Sequence, residues 1–397
     1  MKFYSTETDG WKNLEDEEDN KQRIQALLVE LLKSKNLNVL SGLGTSLTIN
    51  EENNLDNGTE YIAPKMSDLW TTIEEQVDNF EDIKSRVEPG DNDEENGDND
   101  EDEYKFEDIE ELLSRCQQYY NLEENQDIKD FIDEAETIIL DECDFITDEI
   151  ELKSHSQFLR KIAQRPSKLD RTKVFTTNYD ECFEKAANEN RFHVIDGFSY
   201  LHPRTFDATY FDYDLIERKD GKKVLIPSVF HLYKLHGSIG WKKEEGKIIQ
   251  SKKSNEELDP CLIYPQSTKY ELSYQQPYLE MMNRFQISLR QPNTAFIVVG
   301  FGFNDDHLAQ PIINALRSNV KLKLLIVDPS LEAKMQDDDN INDYLVKLKK
   351  LVDNGDSRIS FLEAKFDELV QLIPDIAHKS EKDRMIEGLQ EILSQNS

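Results

Sequence analysis

No Cys-x-x-Cys pair occurs in the 397 residues. The four cysteines, Cys116, Cys143, Cys182 and Cys261, are scattered along the chain, so a zinc ribbon is excluded. Their usage fits free thiols in a reducing compartment. No run of about 20 apolar residues is present, so nothing reads as a membrane span. The amino-terminal stretch from Met1-Lys2-Phe3-Tyr4 onward is acidic and polar, without an apolar signal core, and the expected location is the cytoplasm. Positive charge is also scarce: 47 Lys and Arg stand against 81 Asp and Glu, a formal net charge of −34. Such a surface repels phosphodiester backbones, which argues against direct nucleic acid binding. It attracts a basic partner, or it simply keeps the chain soluble. No internal repeat is found.

Apolar spacing then sets the organisation. Residues 1–20 read as a polar tail, and Ile24, Leu27, Leu28, Leu31 and Leu32 lie at helical spacing. Leu37 to Leu40 is the first buried strand. Ala63 to Trp70 opens a helical stretch with Ser67 as its candidate N-cap. The run 88–103 holds ten acidic residues and no Lys or Arg, and is expected to be a solvated, disordered loop. Strands are expected at Lys173 to Thr177, Phe192 to Ile195, Val229 to Leu235, Cys261 to Tyr264, Ala295 to Val299 and Leu322 to Val327, with a late one at Ile359 to Leu362. Helices over Tyr278 to Leu289 and His307 to Leu316 separate several of them, and Phe366 to Leu393 reads as a terminal helical element. This alternation implies an α/β fold: a Rossmann-like parallel sheet covered on both faces. The expected units are a tail and helix over 1–36, the sheet domain over 37–64 and 169–397, and a helical insertion over 65–168.

Polar residues gather where strands end. Gly42-Leu43-Gly44-Thr45-Ser46 comes directly after the first strand. Glycines there let backbone approach a pyrophosphate, with the next helix aiming N–H groups at the anion; a tight strand-to-helix turn is the other reading. Leu47 replaces the third glycine of the dinucleotide fingerprint. Asn178, after Thr176 and Thr177, can hold a ribose hydroxyl and orient water, or cap the next helix. His236, before Gly237, can take a ribose proton near neutrality, or close a core strand. His202, His231 and His307 lack that setting. Gly300-Phe301-Gly302-Phe303-Asn304-Asp305 is a second glycine turn suited to nucleotide contact. Asp328 ends the next strand, where it can meet a ribose or form an Asp-Pro turn. An amide, an imidazole and a glycine loop on one sheet suit a nucleotide-cleaving site.

In this order the segments resemble the sirtuin-like superfamily. Gly42-Leu43-Gly44-Thr45-Ser46 looks like its Gly-Ala-Gly-x-Ser loop, Thr177-Asn178-Tyr179-Asp180 like its Gln-Asn-Ile-Asp segment, and His236-Gly237 like its His-Gly. The likeness spans roughly residues 37–330. Two departures stand out: the four-cysteine zinc module of deacetylating sirtuins is absent, and Leu47-Thr48-Ile49-Asn50-Glu51-Glu52 replaces their Gly-Ile-Pro-Asp-Phe-Arg. Both count against acyl-lysine deacetylation. Ala63-Pro64 to Trp70 and Gly300 to Asp305 look instead like the bacterial sirtuin-like defence branch. That resemblance implies an NAD glycohydrolase that depletes NAD in abortive infection, working as an oligomer with a HerA-like ATPase. It implies catalysis by Asn178 and His236. NAD contacts would fall to Gly42, Gly44, Thr45, Ser46, Asp180, Gly300, Gly302, Asn304, Asp305 and Asp328. NAD is then substrate, and no metal is required. The alternative reading is a non-catalytic sensor of NAD or ADP-ribose, or an assembly scaffold.

Overall fold

The computed structural model describes residues 1–8, 10–14, 18–53, 61–88, 108–163, 165–166, 168–251, 259–263, 276–336 and 341–375. The acidic stretch beyond Glu88 and the terminal element beyond residue 375 lie outside them. Strands run β1 (Lys2–Tyr4), β2 (Lys12–Asn13), β3 (Asn36–Ser41), β4 (Lys173–Thr176), β5 (His193–Ile195), β6 (Arg204–Thr205), β7 (Ile216–Lys219) and β8 (Lys222–Leu225). They continue with β9 (Val229–Lys234), β10 (Gly237–Glu244), β11 (Lys247–Gln250), β12 (Asp259–Leu262), β13 (Thr294–Val299), β14 (Lys323–Val327) and β15 (Ile359–Glu363). The helices are α1 (Glu18–Leu32), α2 (Leu43–Ser46), α3 (Thr48–Glu52), α4 (Met66–Gln76), α5 (Phe80–Val87), α6 (Ile109–Glu123) and α7 (Gln126–Cys143). After them come α8 (Lys153–Ala163), α9 (Cys182–Glu189), α10 (Tyr278–Arg290), α11 (Asp306–Ser318), α12 (Leu331–Gln336), α13 (Asp343–Asp353) and α14 (Phe366–Leu372).

The main sheet has the order β2-β1-β15-β14-β13-β3-β4-β9-β5. From β15 to β5 every pairing is parallel. Strands β3 and β13 are buried at every position, as expected of parallel strands covered on both faces. Alternate residues supply two cores. Leu40, Phe175, Phe296, Val298 and Ile326 pack under α10 to α13, whereas Val39, Val174, Ile297, Val299 and Leu325 pack under α1, α8, α9 and α14. This mixed α/β, largely parallel architecture is the one the sequence pattern implies.

Three local expectations change. The supposed N-terminal tail contains β1, which pairs antiparallel with β15 and buries Phe3 on one face and Tyr4 on the other. Three residues are too few to show a period. Helix α4 is capped at Lys65, whose N–H donates to the Asp68 carboxylate at 2.7 Å, and not by Ser67. Strand β12 joins an antiparallel sheet of order β12-β10-β11-β6, outside the parallel one. Helices α4 to α7 form a lobe around their own core, which includes Trp70, Phe80, Leu112 and Phe131. Helix α8 packs on the sheet instead, with Phe158 against Phe366 at a ring separation of 5.1 Å.

His155 on α8 is fully buried between Phe183 and Phe366, each 5.1 Å away. Neither ring nitrogen has a hydrogen-bond partner among the described residues. Burial lowers its pKa from 6.5 to about 4. The folded pKa lies below the unfolded one, so acid favours unfolding. His155 costs nothing above pH 7, and its cost grows as pH falls from about 6.5 to about 4. His155→Phe is therefore expected to lose about 2 kcal/mol less stability than the parent chain between pH 7 and pH 5, read by urea denaturation. Equal losses would contradict a buried neutral imidazole.

Candidate active site at the carboxyl edge of the sheet

The order in which strands are added reverses between β3 and β13: β4 lies on one side of this pair, and β14 and β15 on the other. Open α/β sheets form their ligand crevice at such a switch point, outside the strands' carboxyl ends. The polar segments named from the sequence all sit there. The Gly42 loop comes after β3, Asn178 after β4, His236 after β9, the Gly300 turn after β13 and Asp328 after β14. Thr176 and Lys234 are register partners on β4 and β9. Asn178 and His236 are each two residues further on, so they emerge at the same level from adjacent strands.

The two glycine loops touch each other. Gly42 N–H donates to Val299 O at 3.0 Å and Gly44 N–H to Gly300 O at 3.0 Å. A Cβ on Gly42 would meet Gly300 O at 2.5 Å, and one on Gly44 would meet Gly300 Cα at 2.7 Å. Close loop-on-loop contact therefore accounts for these glycines, and their amides are engaged across the switch point. The helix that follows the loop, α2, is a single turn.

Beneath the loops a polar relay holds Asn178. Its side-chain amide donates to Gly42 O at 3.0 Å, Thr45 Oγ1 at 3.3 Å and Ser46 Oγ at 2.8 Å. Ser46 Oγ donates to Asp180 at 2.6 Å, and the other Asp180 oxygen accepts from Cys182 N–H at 3.0 Å. Thr45, Ser46 and Asp180 are buried. They hold Asn178, and the relay fixes its amide orientation: the NH₂ faces the glycine loop. Asn178 does not cap α9; the residue before that helix is Glu181.

Lys234, at the end of β9, is buried, donating to Tyr179 O at 3.1 Å and pairing with Glu184 at 3.2 Å. Ile239 N–H also donates to Tyr179 O, at 3.2 Å. These bonds lace the Asn178 and His236 segments together. Lys234 sits inside the Lys-Leu-His-Gly-Ser segment, but its role was invisible there because its partners come from the end of β4 and from α9. Gly237 turns the chain from β9 into β10 at φ +89°; a Cβ there would meet Cys261 O at 2.2 Å.

His236 is 4 % exposed, and its Nε2 lies 2.9 Å from His307 Nε2. His307, which has no strand-end setting of its own, is carried to the end of β9 by the first turn of α11. The signal lay in Asp305 and His307, two residues apart where a helix begins after a glycine turn. Asp305 is the N-cap of α11 and makes no capping hydrogen bond.

Asp328 follows β14 at the carboxyl edge, and its carboxylate is held by neighbours on the same segment. One carboxylate oxygen accepts from Ser330 N–H and Oγ, both at 2.9 Å, and the other from Lys334 at 2.8 Å. The bonds to Ser330 are those of a turn at the end of β14. Asn304 Oδ1 accepts from Asn342 at 3.2 Å, and Asn342 also donates to Gly302 O at 3.1 Å, so the second glycine turn is tied to α13.

Two cavities of about 590 Å³ lie elsewhere. One is at the amino edge of the sheet beside Asn36, Lys173 and Arg284, and the other is lined by Asp68, Glu75, Asp141 and Glu142 on the helical lobe. Arg284 is already paired with Asp212 and Glu280, and the second lining is acidic. Neither suits a dinucleotide's phosphates. The four thiols are unbonded to one another, and burial pushes Cys116 up to about 12, so it is an inert core group. Among the described residues no helix is long and apolar enough to cross a membrane.

Residues 172–352, from β4 to α13, match the family model of the SIR2-like domain, which supports a sirtuin-like family. No curated relative matches the sequence. A solved triple mutant of Sir2 homologues, in complex with 2'-O-acetyl ADP ribose, is similar at 12% identity and a TM-score of 0.37. The alignment covers 93% of this chain and 98% of that one, and a likeness so slight adds nothing to the fold argument.

Proposed function

We propose that the chain is an NAD glycohydrolase. The observation that carries this reading is the emergence of Asn178 and His236 at one level from neighbouring strands, beside the switch point. In the reaction the bond between C1' of the ribose and the nicotinamide nitrogen breaks. Its electron pair stays with nicotinamide, which leaves neutral. Water adds its oxygen to C1' and releases a proton, giving ADP-ribose. Asn178, held by Ser46 and the Gly42 carbonyl, presents its amide oxygen to the ribose or to the attacking water. His236 accepts the ribose hydroxyl proton as positive charge develops on the ring, and returns it once water has added to C1'. The Gly42–Ser46 and Gly300–Gly302 turns border the pyrophosphate.

The wider role in this reading is NAD depletion during phage infection, as an oligomer with a HerA-like ATPase. The acidic surface, with its net charge of −34, is compatible with a basic face on such a partner. Incubating the chain with NAD, alone and with the ATPase, and measuring free nicotinamide tests the reading. Release is expected in at least one condition.

One observation favours a second reading. His236 is almost fully buried and already engaged with His307, which suits a site that binds NAD or ADP-ribose without turning it over. Calorimetric binding with no nicotinamide in either condition would select that sensor and remove the hydrolase.

A further inference from the structure

We propose that His236, His307 and Asp305 form a binding site for a divalent first-row transition cation. The three come from two elements that meet over the sheet: the end of β9, and the start of α11. One ligand atom from each lies within 4.8 Å of the others. The two Nε2 atoms, 2.9 Å apart, face each other directly. At this distance one ring donates its N–H to the other, and a cation would take the place of that proton. With ring centroids 5.1 Å apart the two nitrogens point at each other, so receiving a cation about 2.1 Å from each requires the rings to turn until both lone pairs meet at the ion.

The donor set also selects the kind of ion. Two imidazoles and one carboxylate suit Zn²⁺, Co²⁺, Ni²⁺ or Fe²⁺, whereas Ca²⁺ and Mg²⁺ prefer oxygen alone. Asp305 holds the N-cap position, where aspartate ordinarily accepts a backbone N–H, yet its side chain makes no cap bond. Its carboxylate lies beside the imidazoles instead. The histidines are 4 % and 6 % exposed, so an ion there is shielded from bulk water. Cysteine spacing gives no hint of such a site, and its two histidines are 71 residues apart.

A cation here does not depend on NAD cleavage. It does bear on it, because His236 Nε2 cannot hold a cation and accept a ribose proton at once. The test uses the full chain, stripped with a chelator and titrated with Co²⁺ by visible absorption and with Zn²⁺ by calorimetry. One equivalent is expected to bind. Asp305→Asn and His307→Ala should each weaken binding roughly tenfold or more, while His202→Ala, at an exposed histidine, should not. Asp305→Asn is the decisive variant, since Asp305 is only half-buried and supports no cap. Affinity unchanged in Asp305→Asn and His307→Ala, or no tight binding by the parent chain, overturns the site. Binding with this dependence, and no nicotinamide release from the metal-free chain alone or with the ATPase, keeps the metal site and removes the hydrolase.

Discussion

Asn178→Ala and His236→Ala are each expected to cut nicotinamide release by about 10²–10⁴-fold, the usual worth of a positioned proton acceptor or orienting group. The two losses have different origins. His236→Ala deletes the base at the end of β9 and leaves His307 without its 2.9 Å partner. Asn178→Ala deletes three donated bonds, to Gly42 O, Thr45 and Ser46, and the amide oxygen they orient. Ser46→Ala separates positioning from chemistry. It keeps Asn178 but breaks the link to Asp180, so the amide is present and less firmly held. Its turnover should fall between the parent and Asn178→Ala, with ADP-ribose affinity reduced less than turnover. Melting curves accompany each variant. Wild-type turnover from a folded Asn178→Ala or His236→Ala protein would remove that residue from the mechanism.

The second large effect is on stability. Gly300→Ala should destabilise the chain by roughly 2–5 kcal/mol, combining a left-handed residue with overpacking. Gly300 has φ +63°, and a Cβ there would sit 2.8 Å from Gly44 Cα, Gly44 C and Thr45 N. All three are backbone atoms, so no side chain can swing aside and the two loops must separate. Gly246 supplies the control. It has φ +76°, but a Cβ added there would meet nothing within 4 Å, so Gly246→Ala should cost only about 1–2 kcal/mol of backbone strain. Denaturant unfolding of both variants measures the difference. Equal costs would mean that the loop contact at the switch point does not constrain Gly300.

The centre of the fold was legible because parallel strands covered on both faces become unbroken apolar runs. Leu37 to Leu40, Ala295 to Val299 and Leu322 to Val327 show this, and the polar residues after each run mark the sheet's carboxyl edge. Strand β1 was hidden because its evidence is Phe3 and Tyr4 on opposite faces of an edge that exists only once β15 is in place. The apolar run Cys261 to Tyr264 implies a strand of the parallel sheet, whereas β12 (Asp259–Leu262) lies in the antiparallel one. Its direction is set by pairing with β10, which a single segment does not reveal. At the site, Asn178 and His236 could be singled out from strand ends, but their surroundings could not. Ser46 and Asp180 meet across 134 residues of sequence, and His236 and His307 across 71. Asp328 shows the opposite case: its bond to Ser330 is local turn chemistry, legible in the Asp-Pro sequence itself.

A crystal structure of the chain with ADP-ribose tests the central claim most directly. The account predicts the pyrophosphate beside the Gly42–Ser46 and Gly300–Gly302 turns, with the nicotinamide-side ribose between the Asn178 amide and the His236 ring. ADP-ribose bound at the amino edge beside Lys173 and Arg284, or Asn178 and His236 facing different spaces with no sugar between them, would contradict it.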